Sequence, residues 1–263
     1  MNTSKKLGLP IEYQQMPEYF DAHNTDKNTE VKNALIEKLL RKQEVKTVLD
    51  MTCGTGSQVF YLAQRGYETT GSDFSPALLD IARDKAKKMN RTITFIDGDM
   101  RDLNAGKFDA VITIFNAIGH LVQSDFEVAL KNIYSNLKEN GIYIFDIFNL
   151  DALTEEAVKD FMIESDVNGV KIQNKQHSEI DRVNGFLISH DQYTIFKNAN
   201  KPENYTNTFS LKIYTAKELT EILNRNGFEV IAQYDMDGNP FVAEKSVNIL
   251  TVARKKQVSN ESN

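Results

Sequence analysis

Two carboxylates and two glycines carry the first sign of chemistry in this chain. Thr47-Val48-Leu49-Asp50 is a short β-branched and apolar run that ends in an acid. It passes through Thr52-Cys53-Gly54-Thr55-Gly56 into a helical pattern from Gln58 to Arg65. A second run closes on an acid in Gly71-Ser72-Asp73-Phe74-Ser75. Gly54 and Gly56 permit positive φ and let a ligand approach the backbone where a side chain would collide. An acid at the end of the second strand of an open α/β sheet is placed to take the two hydroxyls of a ribose. The pattern predicts a nucleoside pocket.

A dinucleotide would require Gly-x-Gly-x-x-Gly, with its pyrophosphate on the helix N-terminus. Here the third position is Val59, and Asp50 would repel a phosphate group. A ligand with a cationic amino-acid end and no phosphate suits the turn better. S-adenosylmethionine is such a ligand, and Asp50 either meets its ammonium or braces the N–H groups of the loop. A nicotinamide-dependent dehydrogenase is disfavoured on the same ground.

Val48-Leu49-Asp50-x-x-Cys53-Gly54-Thr55-Gly56 resembles the first motif of the class I S-adenosylmethionine-dependent methyltransferases. The resemblance continues through Gly71-Ser72-Asp73 to Leu79, Ile96-Asp97-Gly98-Asp99-Met100 to Leu103, Phe108 to Ile112, and Leu137 to Asp146. It covers roughly residues 45–150 and returns near the end of the chain. Thr52 departs from it, standing where the family often has glycine. The resemblance implies a cofactor site formed by Asp50, Thr52, Gly54, Gly56, Asp73, Phe74, Asp99, Met100 and Phe115, with Tyr13 closing over it. Asp73 would hold the ribose, Asp99 the adenine amine, and Met100 the adenine ring.

The segment Phe115-Asn116-Ala117-Ile118-Gly119-His120-Leu121 follows the fourth strand, where donor and acceptor should meet. It lacks the Asn/Asp-Pro-Pro-Tyr/Phe of adenine-amine methyltransferases, and is similar instead to glycine and amino-sugar N-methyltransferases. His120 and Asn116 are therefore the candidate catalytic residues. His120 could take a proton or hold the acceptor; the competing reading is a histidine satisfied in the core. Tyr13 and Tyr19 flank Pro17 in an aromatic segment that in similar enzymes folds over the cofactor. An aromatic face or hydroxyl there could accommodate a sulfonium, and ordinary packing is the alternative. Cys53 has no paired base and reads as packing. His177 and His190 have no ligand set around them, so no metal is expected.

The expected activity is methyl transfer to a small-molecule acceptor, most simply an amine nitrogen. An O-methyltransferase, or a non-catalytic cofactor sensor that keeps only the nucleoside site, would share the same motifs. Net charge is −6, and no basic stripe interleaved with aromatics points to nucleic acid. Lys85, Lys87 and Lys88 sit at a helix end, where cations offset the dipole. No run of about eighteen apolar residues exists, so no membrane span is expected. Met1 to Pro10 has no apolar stretch after its lysines, and the single cysteine allows no internal disulfide; together these suggest a cytoplasmic protein. Oligomeric state stays open between monomer and homodimer.

The elements that must position these residues read as a Rossmann-like α/β fold, 263 residues long. A helix over 25–41, opened by an Asp/Asn/Thr cluster, precedes strands at 47–50, 68–71, 92–95, 108–114 and 142–145. Helices at 57–65, 75–89 and 124–137, with a helix or loop at 100–106, alternate with them. Such alternation implies a doubly wound parallel sheet with ligands at the carboxyl ends of its strands. From Asp151 a short helical piece (153–161) leads to three alternating runs, 170–180, 185–196 and 205–214. Asn168-Gly169, Asn184-Gly185 and Asn198–Pro202 separate them, so they read as an antiparallel meander. A Thr215-capped helix and strands 228–234 and 248–253 complete a seven-stranded sheet with one antiparallel strand. The expected division is a methyltransferase domain at 1–150 and 211–255, an inserted lid at 151–210 over the acceptor, and a disordered polar tail at 256–263.

Overall fold

Strands buried on both faces with helices between them build the sheet that the sequence pattern predicts. The computed structural model describes residues 7–24, 27–167, 169–197 and 201–257. The expected capping cluster around Thr25 and Asp26, Asn168 and residues 198–200 of two expected turns, and the residues from 258 lie outside the described residues.

The chain opens with two single-turn 3-10 helices, Ile11–Tyr13 and Pro17–Tyr19, followed by α1 (Phe20–Asn24) and α2 (Lys27–Arg41). β1 (Thr47–Asp50), α3 (Ser57–Ala63), β2 (Glu68–Asp73), α4 (Pro76–Lys88), β3 (Thr94–Asp97) and β4 (Phe108–Thr113) follow. Then come α5 (Gln123–Asn136), β5 (Leu137–Phe148), α6 (Glu155–Val158), and the antiparallel strands β6 (Asp160–Val167), β7 (Val170–Asp181), β8 (Phe186–Phe196) and β9 (Glu203–Lys212). The chain returns through α7 (Ala216–Arg225), β10 (Phe228–Tyr234) and β11 (Asn248–Lys255).

The main sheet has the order β10-β11-β5-β4-β1-β2-β3, and β6 to β9 form a separate four-stranded sheet. β1 to β5 pair in parallel, whereas β11 runs antiparallel to both β5 and β10. Period-two alternation splits the strand residues between two cores. Leu49, Val111, Tyr143 and Phe145 pack on one face with Phe126, Leu130, Leu219 and Phe228. Val48, Ala110, Ile112, Ile142 and Ile144 pack on the other with Ile36, Leu40 and Leu62. Capping sets the helix starts as expected: Ser75 accepts from Leu78 N ahead of Pro76, and Thr215 forms a reciprocal capping box with Glu218.

Several local readings change. The helix expected to run to Phe161 stops at Val158, and residues 160–167 form a fourth lid strand. β6 is an edge strand with a mostly exposed burial pattern, held by its full register with β7 from Asp160↔His177 to Val167↔Val170. Ladder hydrogen bonds support it, so it leaves little hydrophobic periodicity to read. β3 begins at Thr94 rather than 92, in register with Thr70 of β2. Residues 100–106 take the loop alternative, and β9 ends at Lys212 rather than 214.

Candidate active site

The loop after β1 is seated by two carboxylates from neighbouring strands. Asp50 Oδ1 accepts from Thr52 N at 3.1 Å. Asp73 accepts from Gly54 N through one oxygen and from Ser75 N through the other, both at 2.9 Å. Gly54 (φ 52°) and Gly56 (φ 90°) are left-handed, as the turn requires. A Cβ on Gly54 would stand 3.1 Å from the Phe20 ring, and one on Gly56 would collide with Phe60 at 2.7 Å. Burial raises Asp50 to about 7, against the bond from Thr52 and with the help of nearby Asp73. Burial likewise raises Asp73 to about 6, although three backbone N–H groups oppose the shift.

At the end of β3, Asp99 is clasped by Arg101, whose guanidinium reaches it at 2.6 Å and Asp125 at 3.0 Å. Burial acts to raise the Asp99 pKa, but the hydrogen bonds and charge of Arg101 outweigh it and hold the carboxyl below its usual value. Met100 beside it is buried.

The turn after β4 is strained and held from outside. Phe115 (φ 64°) and Asn116 (φ 58°) are consecutive left-handed residues without being glycine, an arrangement that persists only where its surroundings impose it. Asp146, buried near the end of β5, imposes it here: its carboxylate accepts from Phe115 N at 2.5 Å and Asn116 N at 3.3 Å. Burial lifts Asp146 to about 6, opposed by those N–H groups and by Lys32, whose ammonium lies 5.4 Å from the Phe115 ring centroid.

His120, one turn further on, meets the N-terminal segment. Its Nε2 lies 3.3 Å from the Tyr13 hydroxyl, and the two rings pack edge-on with centroids 5.3 Å apart. Burial alone lowers His120 to about 4, so the imidazole is neutral at pH 7. Burial, with Asp73 and Glu12 nearby, drives the Tyr13 phenol well above its usual pKa. The segment carrying Tyr13 is strapped to the lid: Ser210 N donates to Leu7 O at 2.6 Å, and Asn207 Nδ2 donates to Leu9 O at 2.9 Å. The Ser75 hydroxyl donates to the Tyr13 carbonyl, joining the strap to the head of α4.

These pieces enclose one cavity of about 1090 Å³. Asp50, Thr52, Gly54, Asp73, Phe74, Asp99, Met100, Phe115, Asn116, His120 and Tyr13, all singled out from sequence, line it together. Thr52 Oγ1, Asn116 Oδ1 and His120 Nδ1 are buried without a hydrogen-bond partner. Gly56 is not in the wall; it shapes the start of α3. Tyr19 is not in the wall either: it is buried with Ile11, Met16, Ile172, Tyr193 and Ile195 under the lid, because its short helix turns that ring toward β7 and β8. Cys53 lines the cavity, with its thiol pushed well up by burial, Asp50 and Asp73, so it is no thiolate. His177 pairs with Asp160 and His190 with Thr208, and no metal-ligand cluster occurs among the described residues. Lys85 is tied to Asp21 at 2.6 Å, on a helix whose last turn also carries Lys87 and Lys88.

Sequence reasoning did not single out Asp146, Lys32, Arg101 or Asn207, all of which reach the cavity wall. For Asp146 the signal was present: it follows the apolar run 142–145 in sequence, as Asp50 follows Val48-Leu49. No local pattern marks the other three.

Residues 48–141 match the family described as "Methyltransferase domain". A Bacillus subtilis protein described as a methyltransferase is 26% identical over 70% of this chain and 73% of its own length. A glycine/sarcosine N-methyltransferase from Parasynechococcus marenigrum is 36% identical, over 45% of this chain. The chain spans less than half the length of that relative, 43%. A sugar N-methyltransferase from Streptoalloteichus superposes with a TM-score of 0.77 at 16% identity, covering 98% of this chain and 97% of its own. That likeness is one of fold, and it extends over the lid as well as the main sheet. Carboxylates at the ends of β1 and β2 around a glycine turn, this topology, and the domain match agree: residues 48–141 carry a methyltransferase domain of the S-adenosylmethionine-dependent kind.

Proposed function

We propose that the enzyme methylates an amine nitrogen of a small molecule held between the turn after β4 and the lid. The observation that carries this reading is the Tyr13–His120 pair beside two buried polar atoms without partners, Asn116 Oδ1 and His120 Nδ1. In the tautomer with its proton on Nε2, His120 donates to Tyr13 and leaves Nδ1 bare to accept an amine N–H. Asn116 Oδ1 can accept a second. A neutral imidazole suits this task, and burial keeps His120 neutral at physiological pH.

The residues fit S-adenosylmethionine. The cavity is at the upper end of the roughly 300–1,000 Å³ typical of small-molecule sites, which leaves room for donor and acceptor together. Asp73 would take the ribose, Asp99 and Met100 the adenine, and Asp50 with the unpartnered Thr52 hydroxyl the amino-acid end. The half-exposed rings of Phe74 and Phe115 stand at the wall as apolar flanks. When bound, the cofactor supplies a methyl on a sulfonium that a nitrogen lone pair displaces, so the protein contributes mainly alignment and exclusion of water. The strap supplies the exclusion and the Asp146-held turn the alignment. The names of the glycine/sarcosine and sugar N-methyltransferase relatives support nitrogen as the nucleophile.

Incubation with S-adenosylmethionine and a panel of small amines and alcohols, read by mass spectrometry, tests the proposal. Methylated amines are expected. Transfer only to oxygen, or tight cofactor binding with no transfer to any acceptor, overturns it.

A further inference from the structure

The inner face of the lid has an unusual centre. At one end Ile172, Tyr193 and Ile195 pack with Ile11, Met16 and Tyr19; at the other Leu187, Phe209 and Leu211 pack with Leu153 and Val158. Between these apolar ends the row is polar. Asp191 faces Gln176 on β7 and Asn207 on β9, and Asn174 stands one pair along, opposite Tyr193. The strap sends Glu12 into the same place, where it accepts from the Tyr193 hydroxyl at 2.9 Å.

Asp191, Asn174 and Glu12 are 3%, 4% and 6% exposed. Asn174 hydrogen-bonds the Asp191 carboxylate, yet Asp191 Oδ1 and Asn174 Oδ1 have no partner. Among the described residues, no basic side chain forms an ion pair with Asp191 or Glu12. A buried carboxylate without a counter-charge is strongly disfavoured, and an orphaned buried acceptor is a further loss. Two carboxylates and an amide oxygen form an acceptor-only set. A primary ammonium presents three N–H donors to match it.

We propose that Glu12, Asp191 and Asn174 form a subsite for an ammonium group, and that the methyl acceptor is a small molecule carrying a second amine. This rests on the amine reading of the active site. Glu12, Asp191 and Asn174 stand outside the cavity wall, but their neighbours are in it: Asn207, the cross-strand neighbour of Asp191, lines the cavity, as do Ile11 and Tyr13 on either side of Glu12. Because Glu12 travels with the strap, an ammonium held there draws the strap onto the lid and shuts the cavity over both guests.

The test is calorimetry on the full chain with S-adenosylhomocysteine present, using diaminoalkanes from ethylenediamine to cadaverine against propylamine. At least one diamine should bind about ten- to a hundredfold tighter than propylamine, the range for a charge-assisted contact. Asp191→Asn should abolish that preference while the urea midpoint is kept. Should Asp191→Asn fail to fold, Glu12→Gln reads the same preference and decides alone. Equal binding of mono- and diamines, a preference that survives the substitution, or displacement of the diamine by magnesium chloride would overturn the subsite. Diamine binding that persists without methyl transfer would instead count against the amine reaction and leave the subsite standing.

Discussion

The Tyr13 hydroxyl lies 3.3 Å from His120 Nε2, although 107 residues separate them in the chain. One wall of the cavity is thus shared between a strap that leads into the fold and a turn fixed to the middle of the sheet. Binding and chemistry can therefore be disturbed separately.

His120→Ala should lower turnover by about 10²–10⁴-fold, the usual contribution of a positioned proton-handling group. Affinity for S-adenosylhomocysteine should barely change, since Asp73 and Asp99 lie on other strands. Steady-state kinetics beside calorimetry decide it. A variant that keeps its rate, or loses cofactor binding and stability together, would return His120 to a packing role.

Asp73→Ala should weaken cofactor binding by about 1.5–3 kcal/mol, the range for hydrogen bonds to a charged group. Because the same carboxylate seats Gly54 N and Ser75 N, part of that loss is loop disorder. Asp73→Asn, which keeps an acceptor oxygen, should recover a portion of it. Unchanged affinity in both variants, measured by titration calorimetry, would remove Asp73 from the cofactor site.

Asp146→Ala strands the N–H groups of Phe115 and Asn116 and should lower stability by about 1–3 kcal/mol, the penalty for leaving buried donors unmade. The left-handed pair should relax, raising the acceptor KM more than the cofactor dissociation constant. A fall confined to cofactor binding would show that the turn does not serve the acceptor.

Amides in residues 10–22 should exchange quickly in the free protein and slow when S-adenosylhomocysteine is added, if the strap closes on the cofactor. Hydrogen-exchange mass spectrometry reads this directly. Equal protection in both states would make the segment permanent scaffold.

Acid should stabilise the ligand-free enzyme over part of the pH range. Asp50, near 7, and Asp73, Asp146 and Asp191, near 6, are all raised from 3.8 by burial. The folded protein therefore holds more protons than the unfolded chain between those values, and this contribution is lost as pH rises through 6 to 7. His120, lowered by burial from 6.5 to about 4, acts oppositely, its contribution falling as pH drops through that window. Four carboxyls outweigh one imidazole. The urea midpoint should be higher at about pH 5 than at about pH 7.5, with a flatter slope for Asp50→Asn. A midpoint that rises steadily across this range would show that the raised carboxyls do not govern it.

What the sequence disclosed tracks how local the physics is. Asp50, Asp73 and the glycine turn were legible because strand, acid and turn are contiguous. The parallel sheet was legible because β1, β4 and the run at 142–145 are apolar and most strands are followed by a helix. The strand from Asp160 to Val167 was not, because an exposed edge strand is held by pairing rather than by a buried stripe. Tyr13 and Tyr19 look alike in sequence, and only the lid decides that one faces the cavity and the other packs beneath β7 and β8. Asp146 matters through a contact 31 residues back in the chain, to a backbone whose strain no residue type announces.

The strap also has a consequence for how the protein comes into being. Leu7 and Leu9 are synthesised about two hundred residues before their partners, Ser210 and Asn207 of β9. A contact spanning about two hundred residues is among the slowest kinds to form. During synthesis the nucleoside half of the sheet can collapse while Leu7 and Leu9 still lack their partners, and that end of the strap is anchored only once β9 has emerged.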